Sequence, residues 1–120
     1  MPYFRVSATQ KLSPEKAKEL TEGLGEALEA VPGKKRDMLI LNLEDGQLIS
    51  VGGNKQENFV FTDIHYCGSF PYTVKKRLTE AVFGVYAKVL GTKPECASLT
   101  ITEHHNWGGF GSFHDDFYSD

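Results

Sequence analysis

The feature that most limits the folds open to this chain is that it reads as the same unit twice. Two helical segments carry one tripeptide, Leu20-Thr21-Glu22 and Leu78-Thr79-Glu80, 58 residues apart. The first opens at Ser13-Pro14-Glu15, where Ser13 suits the N-cap and Pro14 the first helical position. Ala17, Leu20, Leu24, Ala27, Leu28 and Val31 fall on one face at helical spacing, and Pro32-Gly33 ends the segment. The second begins near Pro71-Tyr72-Thr73. It carries Val74, Leu78, Ala81, Val82, Val85 and Val89 on one face, with Gly91 just past its end. Strand-like runs flank each helix: 3–8 and 38–44 around the first, 59–66 and 98–103 around the second.

Two β-α-β units in so short a chain predict an α+β fold, with one four-stranded sheet and both helices on one face, because the crossovers share one hand. Residues 1–120 make a single domain: a first unit over 2–58, a second over 59–113, and a tail over 114–120. The run 38–43 is apolar at five of six positions and 59–61 is apolar throughout. A half-buried strand alternates, so the sheet face away from the helices is expected to be covered too, most simply by another copy of the chain. Two short segments, 47–51 before Gly52-Gly53 and 110–113 after Gly108-Gly109, are expected to add edge strands to neighbouring sheets.

The rest of the composition excludes classes. A net charge of −3, with no basic run longer than the triples Lys34-Lys35-Arg36 and Lys75-Lys76-Arg77, argues against nucleic acid. No apolar run approaches the ~20 residues of a membrane span, and no charged-then-apolar leader opens the sequence. Cys67 and Cys96 form no Cys-x-x-Cys, so two free thiols in a reducing, cytoplasmic setting are expected, with leaderless export left open. His104 and His105 are adjacent, so on a strand they face opposite ways. With His114 they read as surface residues rather than a metal centre, and no metal or cofactor is expected. His65 reads as a core or interface histidine. Gly52, Gly53 and Gly68 are expected at positive φ.

Chemistry enters at Met1-Pro2. Removal of an initiator methionine before a small residue leaves a secondary amine on a rigid ring. Burial, or a nearby cation, lowers the pKa of such an amine from about 8. It can then be neutral near pH 7 and take a proton from carbon.

These residues together resemble the tautomerase superfamily, within it the macrophage migration inhibitory factor and phenylpyruvate tautomerase group. Met1-Pro2 before an apolar strand, Gly33-Lys34 after the first helix, Val51-Gly52-Gly53, Ile64-His65-Tyr66-Cys67-Gly68 and Gly111-Ser112-Phe113 carry the likeness over about residues 2 to 113. The resemblance implies a homotrimer with sheets around a central barrel and active sites between subunits. It implies Pro2 as general base and then acid on a small 2-oxo acid such as an arylpyruvate. Lys34 (or Lys35, one residue on) and the Cys67 backbone N–H would hold the carboxylate, with Met38, Ser98, Thr100 and Phe113 lining the pocket. Ser98 and Thr100 stand where the macrophage factor has a tyrosine and an asparagine, which argues against efficient phenylpyruvate turnover. The thiol pair of that factor is missing: Phe59 and Thr62 stand near those places. The alternative is a cytokine-like binding protein with a vestigial pocket and a receptor as partner.

Overall fold

The computed structural model describes residues 1–116. Four strands, Tyr3–Ala8 (β1), Ile40–Glu44 (β2), Val60–Cys67 (β5) and Ala97–His104 (β6), form one sheet in the order β2-β1-β5-β6. β1 runs parallel to β2, β5 runs parallel to β6, and β1 meets β5 antiparallel at the centre. The repeat survives in the pairing: Tyr3 lies opposite Ile40 and Val60 opposite Ala97, the same sequence step in both units. Pro14–Leu28 (α1) and Tyr72–Leu90 (α2) are the crossovers.

Both helices start and stop for local reasons. Ser13 accepts a hydrogen bond from the Lys16 amide at 3.1 Å, with Pro14 following it. Gly91 ends α2 in the left-handed conformation, φ +65°. α1 stops at Leu28, so Val31, expected on the helix, lies in the turn beyond it but is still buried. Leu20, Leu24, Leu28, Leu78, Val82 and Tyr86 pack with Phe4, Val6, Val60, Ile64 and Tyr66 into one core. Each large aliphatic side chain there is worth about 2–5 kcal/mol against truncation to Ala.

The sheet face away from the helices is not the apolar surface the runs suggested. β5 alternates cleanly between buried and accessible residues. Met38 and Leu39 belong to a 3-10 turn over Arg36–Met38 and its exit, not to a strand. The strand proper begins at Ile40, and Leu41 and Leu43 pack on the core while Asn42 and Glu44 lie on the other face. That open face carries Arg5 bonded to Glu44, Thr100 bonded to Asp63, and His65, with Ile40 and Phe61 as its large apolar residues.

Two hairpins project from the sheet. Ser50–Val51 (β3) pairs with Asn54–Lys55 (β4) across Gly52 and Gly53, both at positive φ as expected. Asn106–Gly109 (β7) pairs with Ser112–Asp115 (β8). Here Phe110 and Gly111, expected in the edge segment 110–113, form the turn instead, φ +50° and +78°. β8 also runs past Phe113, so the expected tail begins inside a strand; residues 117–120 of that tail lie outside the described residues. No helix is long and apolar enough to cross a membrane.

One buried polar pair crosses the core: the Thr62 and Tyr86 hydroxyls lie 2.6 Å apart. Burial pushes the Tyr86 phenol above its ordinary pKa, so it stays neutral and hydrogen-bonded. Tyr86→Phe strands the Thr62 hydroxyl and is expected to cost about 1–3 kcal/mol in urea unfolding. Adding Thr62→Val to that variant is expected to recover part of the loss; simple additivity of the two would show the pair is not coupled.

Candidate active site

The start of the chain and the end of β5 meet because β1 and β5 are antiparallel. Tyr3 pairs with His65, so Met1 and Pro2 arrive beside Tyr66 and Cys67. Pro2 is buried and its carbonyl accepts from the Ile40 amide at 2.9 Å, fixing the strand start. The Met1 side chain lies against Gly109 of β7, where any Cβ would collide with its sulfur.

Lys34 reaches the same corner. Gly33 turns the chain at φ +78°, and the Lys34 ammonium donates to the Cys67 carbonyl at 2.9 Å. It also stands 5.9 Å from the Tyr66 ring centre and 6.0 Å from that of Phe70. Of the two adjacent lysines only Lys34 is drawn in; Lys35 is exposed at the start of the 3-10 turn. The terminal amine has its pKa lowered, first by burial and then by the Lys34 charge, with a smaller opposing effect of Cys67.

Glu103 fixes the ring platform under Lys34. It accepts from the Tyr66 hydroxyl and the Phe70 amide, both at 2.8 Å, and faces Lys75 at 3.6 Å. Burial pushes its carboxyl up, but those donors outweigh it and the pKa ends below the usual carboxylate value. Burial, then Glu103, pushes the Tyr66 phenol well above its own. Gly68, at φ +116°, turns the chain out of β5 and donates to the His104 carbonyl at 2.8 Å.

Beside this corner the open sheet face holds a cleft of about 440 Å³ lined by Tyr3, Ile40, His65, His104, Trp107 and their neighbours. His65 is not in the core. Its Nδ1 lies 2.8 Å from His104 Nε2 and its Nε2 lies 3.1 Å from Asp63. With both rings neutral, His65 donates to Asp63 and accepts from His104. A larger hollow, about 940 Å³, runs between α1 and α2 and is lined by Gly23, Ala27, Ala81 and Val85 among others, apart from these groups.

Pro2, Lys34 and Cys67 therefore converge within one chain. Ser98 and Thr100 do not: Cys67 pairs with His104, so they lie about 13–20 Å back along β6. Met38 closes the 3-10 turn half-buried, and Phe113 stands 69% exposed on β8. Sequence reasoning missed Tyr66, Phe70 and Glu103. Their signal was only that an aromatic flanks each side of Cys67-Gly68. It also separated His114 and Asp116 from Cys67, which they in fact adjoin.

No protein-family model matches the sequence, and no curated protein matches it. Solved structures do. Leishmania major MIF2 superposes with a TM-score of 0.85 at 18% identity, covering 94% of this chain and 97% of that one. Pt0534 inactivated by 2-oxo-3-pentynoate gives 0.82 at 18% identity, covering 98% and 99%. The F6 fused 4-OT asymmetric trimer gives 0.79 at 18% identity, covering 92% and 94%. The chain thus shares the fold of these solved structures, macrophage migration inhibitory factor homologues among them.

Proposed function

We propose that this protein is a homotrimeric tautomerase of small 2-oxo acids, with the Pro2 amine of the processed chain as its proton carrier. The observation that carries this reading is the placement of the buried Pro2 ring at the end of β5, where the Lys34 ammonium bonds the Cys67 carbonyl and where burial and Lys34 lower the pKa of the Met1 amine. Loss of Met1 would move the free amine one residue inward, onto the buried Pro2 ring. It would also vacate the space the Met1 side chain fills against Gly109, beside the new amine.

The chemistry follows from charge. A neutral Pro2 nitrogen takes a proton from the enol hydroxyl and, as an ammonium, returns it to carbon, giving the ketone. The Lys34 ammonium and the Cys67 backbone N–H hold the substrate carboxylate. The platform of Tyr66 and Phe70 keeps Lys34 aimed at the end of β5. Pt0534 being inactivated by a 2-oxo acid supports the substrate class, and the 4-OT trimer supports the assembly. So does the distance from Cys67 to Ser98 and Thr100. On the edge strand β6, those two are available to a neighbouring copy's pocket and not to their own.

Intact mass is expected to show Met1 removed, light scattering to show three chains, and an enol–keto assay to show activity. Retained Met1 in an active enzyme would end the Pro2 assignment. Pro2→Ala should lower kcat by about 10²–10⁴-fold, the usual worth of a general base, with the trimer intact.

The active form has the amine deprotonated, and a free Pro2 amine would meet the burial and the Lys34 charge that lower the Met1 amine, so kcat/KM should rise with pH through a midpoint below the ordinary α-amino value. Lys34→Ala removes a charge that disfavours the ammonium, so the midpoint should move to higher pH. An unmoved midpoint would show that Lys34 acts only on the carboxylate.

A further inference from the structure

We propose that Cys67, His114 and Asp116 form a binding site for a zinc-class divalent metal ion, at the edge of the Pro2–Lys34 corner. Each offers one ligand atom, and the three atoms all lie within 4.8 Å of one another. Donors around a tetrahedral zinc sit about 3.3–3.8 Å apart, given bonds of 2.0–2.3 Å. Closure of this triad therefore needs shifts of about 1 Å, available to accessible side chains.

The fold brings these donors together from 47 positions apart along the chain or more. Cys67 ends β5 directly opposite His104, the end of β6. The chain then turns into the β7–β8 hairpin, which carries His114 and Asp116 back beside Cys67. Asp116 extends that ladder by donating its amide to the His105 carbonyl at 2.7 Å. Residues two apart on an extended segment share a face, so His114 and Asp116 present their side chains to the same side.

The donor set selects the ion. A thiolate, a neutral imidazole and a carboxylate carry two negative charges, which balance a divalent cation. Sulfur and nitrogen donors favour zinc and its transition-metal neighbours over magnesium or calcium, which take oxygen. Two side chains are exposed and the third half-buried, so the ion has an entry path. Three protein ligands leave a fourth position for water or a ligand.

Without metal, His114 Nε2 and Asp116 Oδ1 lie 2.9 Å apart. Metal binding exchanges that hydrogen bond for two coordinate bonds. The other Asp116 oxygen lies 3.7 Å from His105 Nδ1, a second histidine placed to orient the carboxylate. The main opposing charge is Lys34. Its ammonium engages the Cys67 carbonyl and so holds to the backbone of that residue.

The site stands whether or not Pro2 is a catalyst. The test uses the full chain, stripped with a chelator and titrated with Zn²⁺ against a chromogenic competitor, and separately with Co²⁺. Expected are one Zn²⁺ per chain and a near-ultraviolet thiolate-to-cobalt band. Cys67→Ser should lose the band, and His114→Ala should lose stoichiometric binding with the circular dichroism spectrum unchanged. His105→Gln should weaken binding about tenfold. Pro2→Ala should bind metal as the wild type does, so failure of the tautomerase reading leaves this outcome untouched. Substoichiometric zinc, cobalt without the thiolate band, or undiminished binding in His114→Ala would each overturn the proposal.

Discussion

The antiparallel pairing of β1 with β5 is the constraint on which everything else hangs. It joins the two β-α-β units at the centre of the sheet and decides which residues meet. Tyr3 opposite His65 brings the chain's first residues to the end of β5, where Lys34 also arrives from the turn after α1. A slip of one residue would turn Phe4 and Val6 out of the core and Arg5 into it. Burial of Phe4, Val6, Ile64 and Tyr66 therefore sets the register, and the register sets the corner. The core and the candidate site are one problem solved once.

The sheet's two faces divide the work. One is filled by the helices. The other is polar, with Arg5–Glu44, Thr100–Asp63 and the Asp63–His65–His104 line across its strands. Burial pushes the Asp63 carboxyl up, yet hydrogen bonds from His65 and Thr100 hold it below its ordinary pKa. Such a face solves its own hydrogen bonds without a partner. What stays unsolved in one chain are the sheet's edges, β2 and β6, whose outer backbone groups face no strand of the sheet. An assembly that pairs edges, rather than one that hides an apolar face, fits this chemistry.

Much of this was legible in the residues. The helix caps at Ser13 and Gly91 and the doubled unit follow from short-range rules and one repeat, whereas the grouping of Pro2, Lys34 and Cys67 came only from the resemblance. What escaped did so for physical reasons. The run 38–43 hid a turn, because side-chain polarity does not report backbone conformation when Met38 and Leu39 lie half-buried outside a strand. Residues 110–113 were read as a strand that ends at Phe113. The turn instead falls on Phe110-Gly111, with Phe110 in a conformation that costs a non-glycine residue about 1 kcal/mol or more. The approach of His114 and Asp116 to Cys67 depends on that hairpin, so assigning residues from 114 on to a tail concealed it.

Glu103 links these levels. It sits on β6 between the helix-facing core and the end of the sheet, and its carboxylate satisfies donors from Tyr66 on β5 and from Phe70 before α2. Tyr66 and Phe70 meet edge to face, 5.5 Å apart, and Lys34 stands over both. The carboxylate thus orients Lys34 without touching it. Its negative charge meets Lys75 at 3.6 Å, while the Lys34 charge acts on the amine and its ammonium bonds the Cys67 carbonyl. An alanine at this position would free the Tyr66 hydroxyl and the Phe70 amide together. Both rings would then lose the contacts that aim the lysine, so the electrostatics of the corner are set by a residue on the neighbouring strand.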